Sequence, residues 1–127
     1  MNLAELCKLM QAKVYCCEEA MDRQISFVCA GDLMSDILVF SQSHALLVTG
    51  LVNLQVIRTA EMLDIAAIVF IAGKVPTGEM LELARKKSIP LLSTRKTMYM
   101  SCGLLYEAGM ENATASVPKS VPKLEIR

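Results

Sequence analysis

The sequence predicts an α/β fold, a three-layer α/β/α domain around a mostly parallel five-stranded sheet. Three observations carry that prediction. Several short runs are apolar throughout rather than alternating, as in parallel strands covered on both faces. Between them lie segments with apolar residues at helical spacing, which supply the crossovers. Most runs also stop at a small or polar residue just before the next helical segment begins.

The elements follow in order. Leu3, Leu6, Cys7 and Met10 recur at i, i+3, i+4 and i+7, an amphipathic helix that Asn2 is placed to cap. Lys13-Val14-Tyr15-Cys16 reads as a short strand, and Cys17 to Gln24 as a polar connection. Ser26 to Ala30 is the next strand, stopping at Gly31-Asp32. Leu33, Met34, Ile37 and Leu38 then share a helical face out to about Ser41. Ala45 to Thr49 is followed by Gly50, and Asn53 caps a helix holding Val56, Ile57, Ala60 and Leu63. Ala67 to Ile71 ends at Gly73. A helix from Pro76 to Lys87 places Pro76 in the first turn and Arg85-Lys86-Lys87 in the last, where cations complement the dipole. Ile89 to Ser93 is the last strand, with Pro90 at its start or on an edge. A helix from Thr94 or Thr97 to about Ala108 is stopped by Gly109.

This organisation divides the chain into a domain over 1–110 and a tail over 111–127. The tail is rich in Asn, Thr, Ser, Pro and Lys, carries Val-Pro at Val117 and Val121, and is read as flexible or extended, or laid along a partner subunit. With 127 residues, one domain can bury roughly two-thirds of its unfolded surface. Thirteen basic against thirteen acidic residues leave no basic field for nonspecific nucleic-acid binding. The longest apolar run, Ile65 to Ala72, is far short of the ~20 residues that span a bilayer. Met1 to Glu5 lacks the basic start of a secretory signal, so the expected location is cytoplasmic and no membrane partner is expected. Five cysteines without CxxC spacing read as small buried residues in a reducing compartment. Adjacent Cys16 and Cys17 are expected on opposite faces of a strand.

In open α/β sheets ligands collect beyond the carboxyl ends of the strands. Here those ends are Gly31-Asp32, Thr49-Gly50, Gly73-Lys74 and Ser93-Thr94-Arg95, with Lys96 adjoining. Free N–H groups at the helix starts and cations at Lys74, Arg95 and Lys96 suit a phosphate-bearing molecule, although plain turns read the same way. The candidate ligand-binding residues are Asp32, Thr49, Gly50, Ser93, Thr94 and Arg95. Asp32 and Asp36, four apart, could share a metal or acid–base role, but capping and a first-turn position account for them more simply. His44 is the only histidine and reads as an exposed loop residue. Arg58 and Glu61 read as surface or interface ion-pair residues. The absence of GxxxxGK[ST] and GxGxxG removes the motifs of P-loop phosphoryl transfer and of dinucleotide binding. No catalytic residue, metal or cofactor is therefore assigned.

The segments Gly31-Asp32-Leu33-Met34-Ser35-Asp36-Ile37-Leu38, Leu47-Val48-Thr49-Gly50-Leu51 and Asn53 to Glu61 resemble a DRTGG domain. So do Pro90-Leu91-Leu92-Ser93-Thr94 and Cys102-Gly103-Leu104-Leu105-Tyr106. The namesake string is not intact, since Leu51 follows Thr49-Gly50 where a second glycine would stand. The resemblance implies a fold similar to the N-terminal domain of HPr kinase/phosphorylase without its kinase site. It implies a non-catalytic regulatory module, homodimeric, sensing an anionic metabolite such as an adenine nucleotide, and not an enzyme. It also implies a protein partner in anaerobic redox metabolism. The alternative is a pure interaction or dimerisation domain without a small-molecule ligand.

Overall fold

The computed structural model describes residues 1–112; of the tail expected over 111–127, Glu111 and Asn112 instead form a strand, and 113–127 lie outside the described residues. The chain runs α1 (Leu3–Met10), β1 (Lys13–Cys16), a 3-10 turn (Glu18–Ala20), β2 (Phe27–Ala30), α2 (Met34–Phe40) and β3 (Ala45–Thr49). It continues with α3 (Leu54–Met62), β4 (Ala67–Phe70), α4 (Gly78–Lys87), β5 (Leu91–Ser93), α5 (Met98–Glu107) and β6 (Glu111–Asn112). One sheet is ordered β1-β5-β4-β3-β2-β6. Every neighbouring pair is parallel except β1 with β5. The three-layer α/β architecture is thus present, with six strands rather than five.

Side-chain alternation along the central strands divides the interior in two. Ala45 and Leu47 of β3, Ile68 and Phe70 of β4 and Leu91 of β5 face one side. There they meet Met34 and Ile37 of α2, Val56, Ile57 and Ala60 of α3, and Met80 and Ala84 of α4. Leu46, Val48, Ala67, Val69 and Leu92 face the other side and meet Leu3, Leu6 and Met10 of α1 and Leu105 of α5. All five residues of β3 and all four of β4 are buried, which explains why these strands are apolar on both faces.

Helix ends follow local chemistry. The Asn2 side chain accepts from the Glu5 N–H at 2.9 Å and the Glu5 carboxylate reaches back to the Asn2 N–H, a reciprocal capping box. Asn53, Thr77 and Thr97 cap α3, α4 and α5 through the N–H three residues on. The α4 helix therefore starts after Thr77, and Pro76 lies just outside the first turn expected to hold it, because the threonine hydroxyl offers an acceptor that proline lacks. Gly109, at φ 89, turns the chain after α5 so that Met110 is buried again and β6 reaches the edge of β2.

Two local expectations change. The α2 N-cap is Leu33, with no side-chain bond, so Asp32 is not a capping residue. Cys17 adopts φ 61, which ends β1 and swings its side chain into the same cluster as Cys16; the two thiols do not lie on opposite faces. Glu61 stands in a surface ion pair, as expected, with Lys87 at 3.1 Å. His44 is exposed, as expected, within 3.7 Å of the equally exposed Asp64.

Candidate functional site

The carboxyl ends of β2, β3, β4 and β5 form one rim, and its polar groups are tied to each other. Gly31 extends β2 by donating its N–H to the Val48 carbonyl at 3.0 Å, which brings Asp32 over the end of β3. The Asp32 carboxylate accepts from the Gly50 N–H at 2.7 Å and from the Thr49 hydroxyl at 3.1 Å. That hydroxyl in turn accepts from the Leu51 N–H at 3.2 Å. On the other side of the same residue, Lys74 Nζ donates to the Gly50 carbonyl at 2.7 Å. Gly50 is thus held between an anion and a cation. A Cβ at this position would stand 3.2 Å from Lys74 Nζ and 3.5 Å from Asp32 Oδ1, so a larger residue would require the lysine head to give by a few tenths of an ångström.

Ser93, at the end of β5, donates its hydroxyl to the Lys74 carbonyl at 2.5 Å and fixes the loop that carries the lysine. Thr94 is buried and turns toward the opposite layer, donating to the Met10 carbonyl at 2.7 Å while its hydroxyl accepts from the Lys96 N–H. The loop after β4 and the loop after β5 are joined by the Ala72 N–H to the Lys96 carbonyl and the Gly73 N–H to the Thr94 carbonyl, both 2.9 Å. Lys74, Arg95 and Lys96 therefore stand on two paired loops. Arg95 is exposed and makes no hydrogen bond or ion pair among the described residues.

Of the six residues that the sequence singled out, Asp32, Thr49 and Gly50 meet directly. Ser93 joins them through the backbone of Lys74, Thr94 anchors the β5 end to α1, and Arg95 projects to solvent. Lys74 is more central than its place in the sequence implied. Its role depends on a contact across twenty-four residues, and no local pattern announces it. Among the described residues no group of three His, Cys, Asp or Glu side chains converges as a metal site, and no helix is long and apolar enough to cross a membrane.

A second feature lies away from the rim. Between α5 and the β2/β6 edge opens a mainly apolar groove of about 700 Å³, walled by Val28, Ala30, Tyr99, Cys102, Tyr106 and Met110.

No protein-family model and no curated protein matches the chain. Among solved structures, it is similar to the CBS and DRTGG domains of the regulatory region of a Clostridium perfringens pyrophosphatase, solved with the activator diadenosine tetraphosphate. The TM-score is 0.70 at 16% identity, over 94% of this chain and 52% of the other. The two share a fold, and this chain spans about half the length of that regulatory region.

Proposed function

We propose that the chain is a non-catalytic regulatory module of the DRTGG type, homodimeric, that senses an anionic metabolite such as an adenine nucleotide at the carboxyl-end rim. The observation that carries this reading is the set of three cations, Lys74, Arg95 and Lys96, on two loops locked together by backbone hydrogen bonds. A phosphate group meeting them encounters fixed positive charge beside the N-terminus of α5, an arrangement that favours anions. In this reading Arg95 contacts the ligand through its free guanidinium. Asp32, Thr49, Gly50 and Ser93 hold the loops in position, and Thr94 fixes the β5 end. The shared fold with a regulatory region solved with a dinucleotide activator supports the choice of an adenine nucleotide as first probe.

The test is a thermal-shift series with AMP, ADP, ATP, diadenosine polyphosphates and inorganic phosphate. Ligand at 100 times its dissociation constant adds about 2.7 kcal/mol to native-state stability, a rise of several degrees for a domain of this size. Arg95→Ala is expected to weaken the shift at least several-fold while leaving the unliganded melting temperature unchanged. No shift with any of these compounds overturns the sensing role. An unchanged shift in the variant removes Arg95 from the site.

The second reading, an interaction domain without a small-molecule ligand, is favoured by the open apolar groove beside α5.

A further inference from the structure

Helix α5 departs from the pattern of the other long helices. From Thr97 to Tyr106 it carries no charged residue, whereas the outer face of α3 presents Arg58 and Glu61, and α4 presents Glu79 and Lys86. Ser101 and Leu105 turn inward and are buried. The opposite face is Tyr99, Gly103 and Tyr106, at i, i+4 and i+7, with Met100 beside them. Tyr99 is 85% exposed, Tyr106 83% and Met100 49%. A helix apolar all round is ordinarily covered on every side, and this one is covered only on the side of the sheet.

We propose that the outer face of α5 is the seat of a second copy of this chain, with the two α5 helices crossing antiparallel about a twofold axis at Cys102–Gly103. The stripe is self-complementary in the way an isologous contact requires: large, small, large. A crossing at that point sets Tyr99 opposite the second copy's Tyr106 and Tyr106 opposite its Tyr99. Apart from the adjoining residues and the helix's own backbone, no atom lies within 4 Å of where a Gly103 Cβ would be, so the backbones can approach at the centre.

Charge selects the direction. Lys96 precedes the helix and Glu107 and Glu111 close it, so antiparallel packing brings basic and acidic ends together, while parallel packing would oppose like charges. The area is sufficient. A buried aromatic side chain contributes about 150–250 Å². Two tyrosines with Met100 therefore give roughly 500 Å² per copy, and the pair reaches the roughly 1,000 Å² of a specific interface before the groove walls are added. The inference rests on the homodimer in the reading above and is independent of any nucleotide.

Light scattering and sedimentation of the full chain through a dilution series are expected to show a dimer. Gly103→Glu places a charge at the centre of the seam, and its dimer should dissociate at roughly 100-fold higher concentration or more, with unchanged circular dichroism and, at a dilution where both proteins are monomers, unchanged melting. Hydroxyl-radical footprinting of the unmodified chain is the second measurement. Tyr99 and Tyr106 should be labelled when dilute and protected when concentrated. A monomer at every concentration overturns both the seam and the homodimer. A dimer that survives Gly103→Glu overturns the seam and leaves the homodimer standing. Protection of the tyrosines that persists where light scattering shows a monomer gives the groove another occupant and likewise overturns the seam.

Discussion

The rim and the outer face of α5 stand on the same sheet and are finished in opposite ways. At the rim most polar groups have a partner within the chain: the carboxylate of Asp32, the backbone of Gly50, the ammonium of Lys74 and the hydroxyl of Ser93 form one connected set, and among the described residues the side chains of Arg95 and Lys96 are left over. On α5 the apolar groups turned outward have no partner among the described residues, and two tyrosines stand almost wholly in solvent. The rim is tied largely to itself; the α5 face is left open among the described residues. A surface that bonds to itself contributes to stability and resists change, whereas one left open contributes little until a partner arrives. Richness in polar residues at a strand end is therefore a weak guide to binding unless some of those groups remain unengaged.

Substitutions can break this contrast. The largest effect is expected at Asp32. Replacement by alanine leaves the Gly50 N–H and the Thr49 hydroxyl without their acceptor, which should lower unfolding free energy by about 1–2 kcal/mol. Asp32→Asn keeps one oxygen and should lose about half as much. Urea denaturation of the three proteins measures this, and an Asp32→Ala protein as stable as the parent would mean that the rim is not self-supporting.

The cysteines sharpen the contrast without mutation. Burial, then the neighbouring Cys16 thiol, pushes Cys17 up to about 12 from an ordinary value near 9, with Arg23 opposing. The folded state thus favours the protonated thiol. That contribution to stability is complete below about pH 9 and is lost as pH rises toward about 12. Base titration followed by circular dichroism should show progressive destabilisation across that interval. In the dilute chain, alkylation near neutral pH should modify the half-buried Cys102 of α5 and Cys7 long before Cys16, Cys17 or Cys29. Equal rates at all five would contradict the packing described. The smallest effect is expected on α5 itself. Replacing Tyr99 and Tyr106 with serine should change the unfolding free energy of the dilute chain by no more than about 0.5 kcal/mol, and a loss comparable with that of Asp32→Ala would mean that the tyrosines already pack within the chain.

Most of the fold was legible because its elements obey local rules. Asn2 with Glu5, and Asn53 before Val56, announce helix starts through short-range capping, and the unbroken apolar runs at Ala45 and Ala67 could only be strands buried on both faces. The sixth strand was not legible. Glu111 and Asn112 are exposed, polar and only two residues long, and they pair because Gly109 delivers them to an edge. Asp32 was misassigned for a related reason. An aspartate before a helix satisfies the local rule for a cap, and only the three-dimensional approach of Thr49 and Gly50 shows that its carboxylate is used elsewhere. Cys17 broke the alternation rule by a single left-handed residue. In each case the decisive partner is distant in sequence, so no window along the chain contains it.

The side-by-side packing of α1 and α5 has a consequence for how the protein is made. These two helices complete one layer of the domain, yet they stand at opposite ends of the folded sequence, and Leu3, Leu6 and Met10 share their cluster with Leu105. At ordinary translation rates of about 5–20 residues per second, roughly 5–20 s separate the synthesis of α1 from that of α5. Throughout that interval the nascent α1 has an apolar face and no second helix to shelter it. The α2–α3–α4 layer, drawn from the middle of the chain, can assemble on the growing sheet first. The emerging polypeptide is thus most exposed to aggregation and to chaperones on the α1 side, and synthesis that stops before Leu105 should leave a sheet covered on one face only.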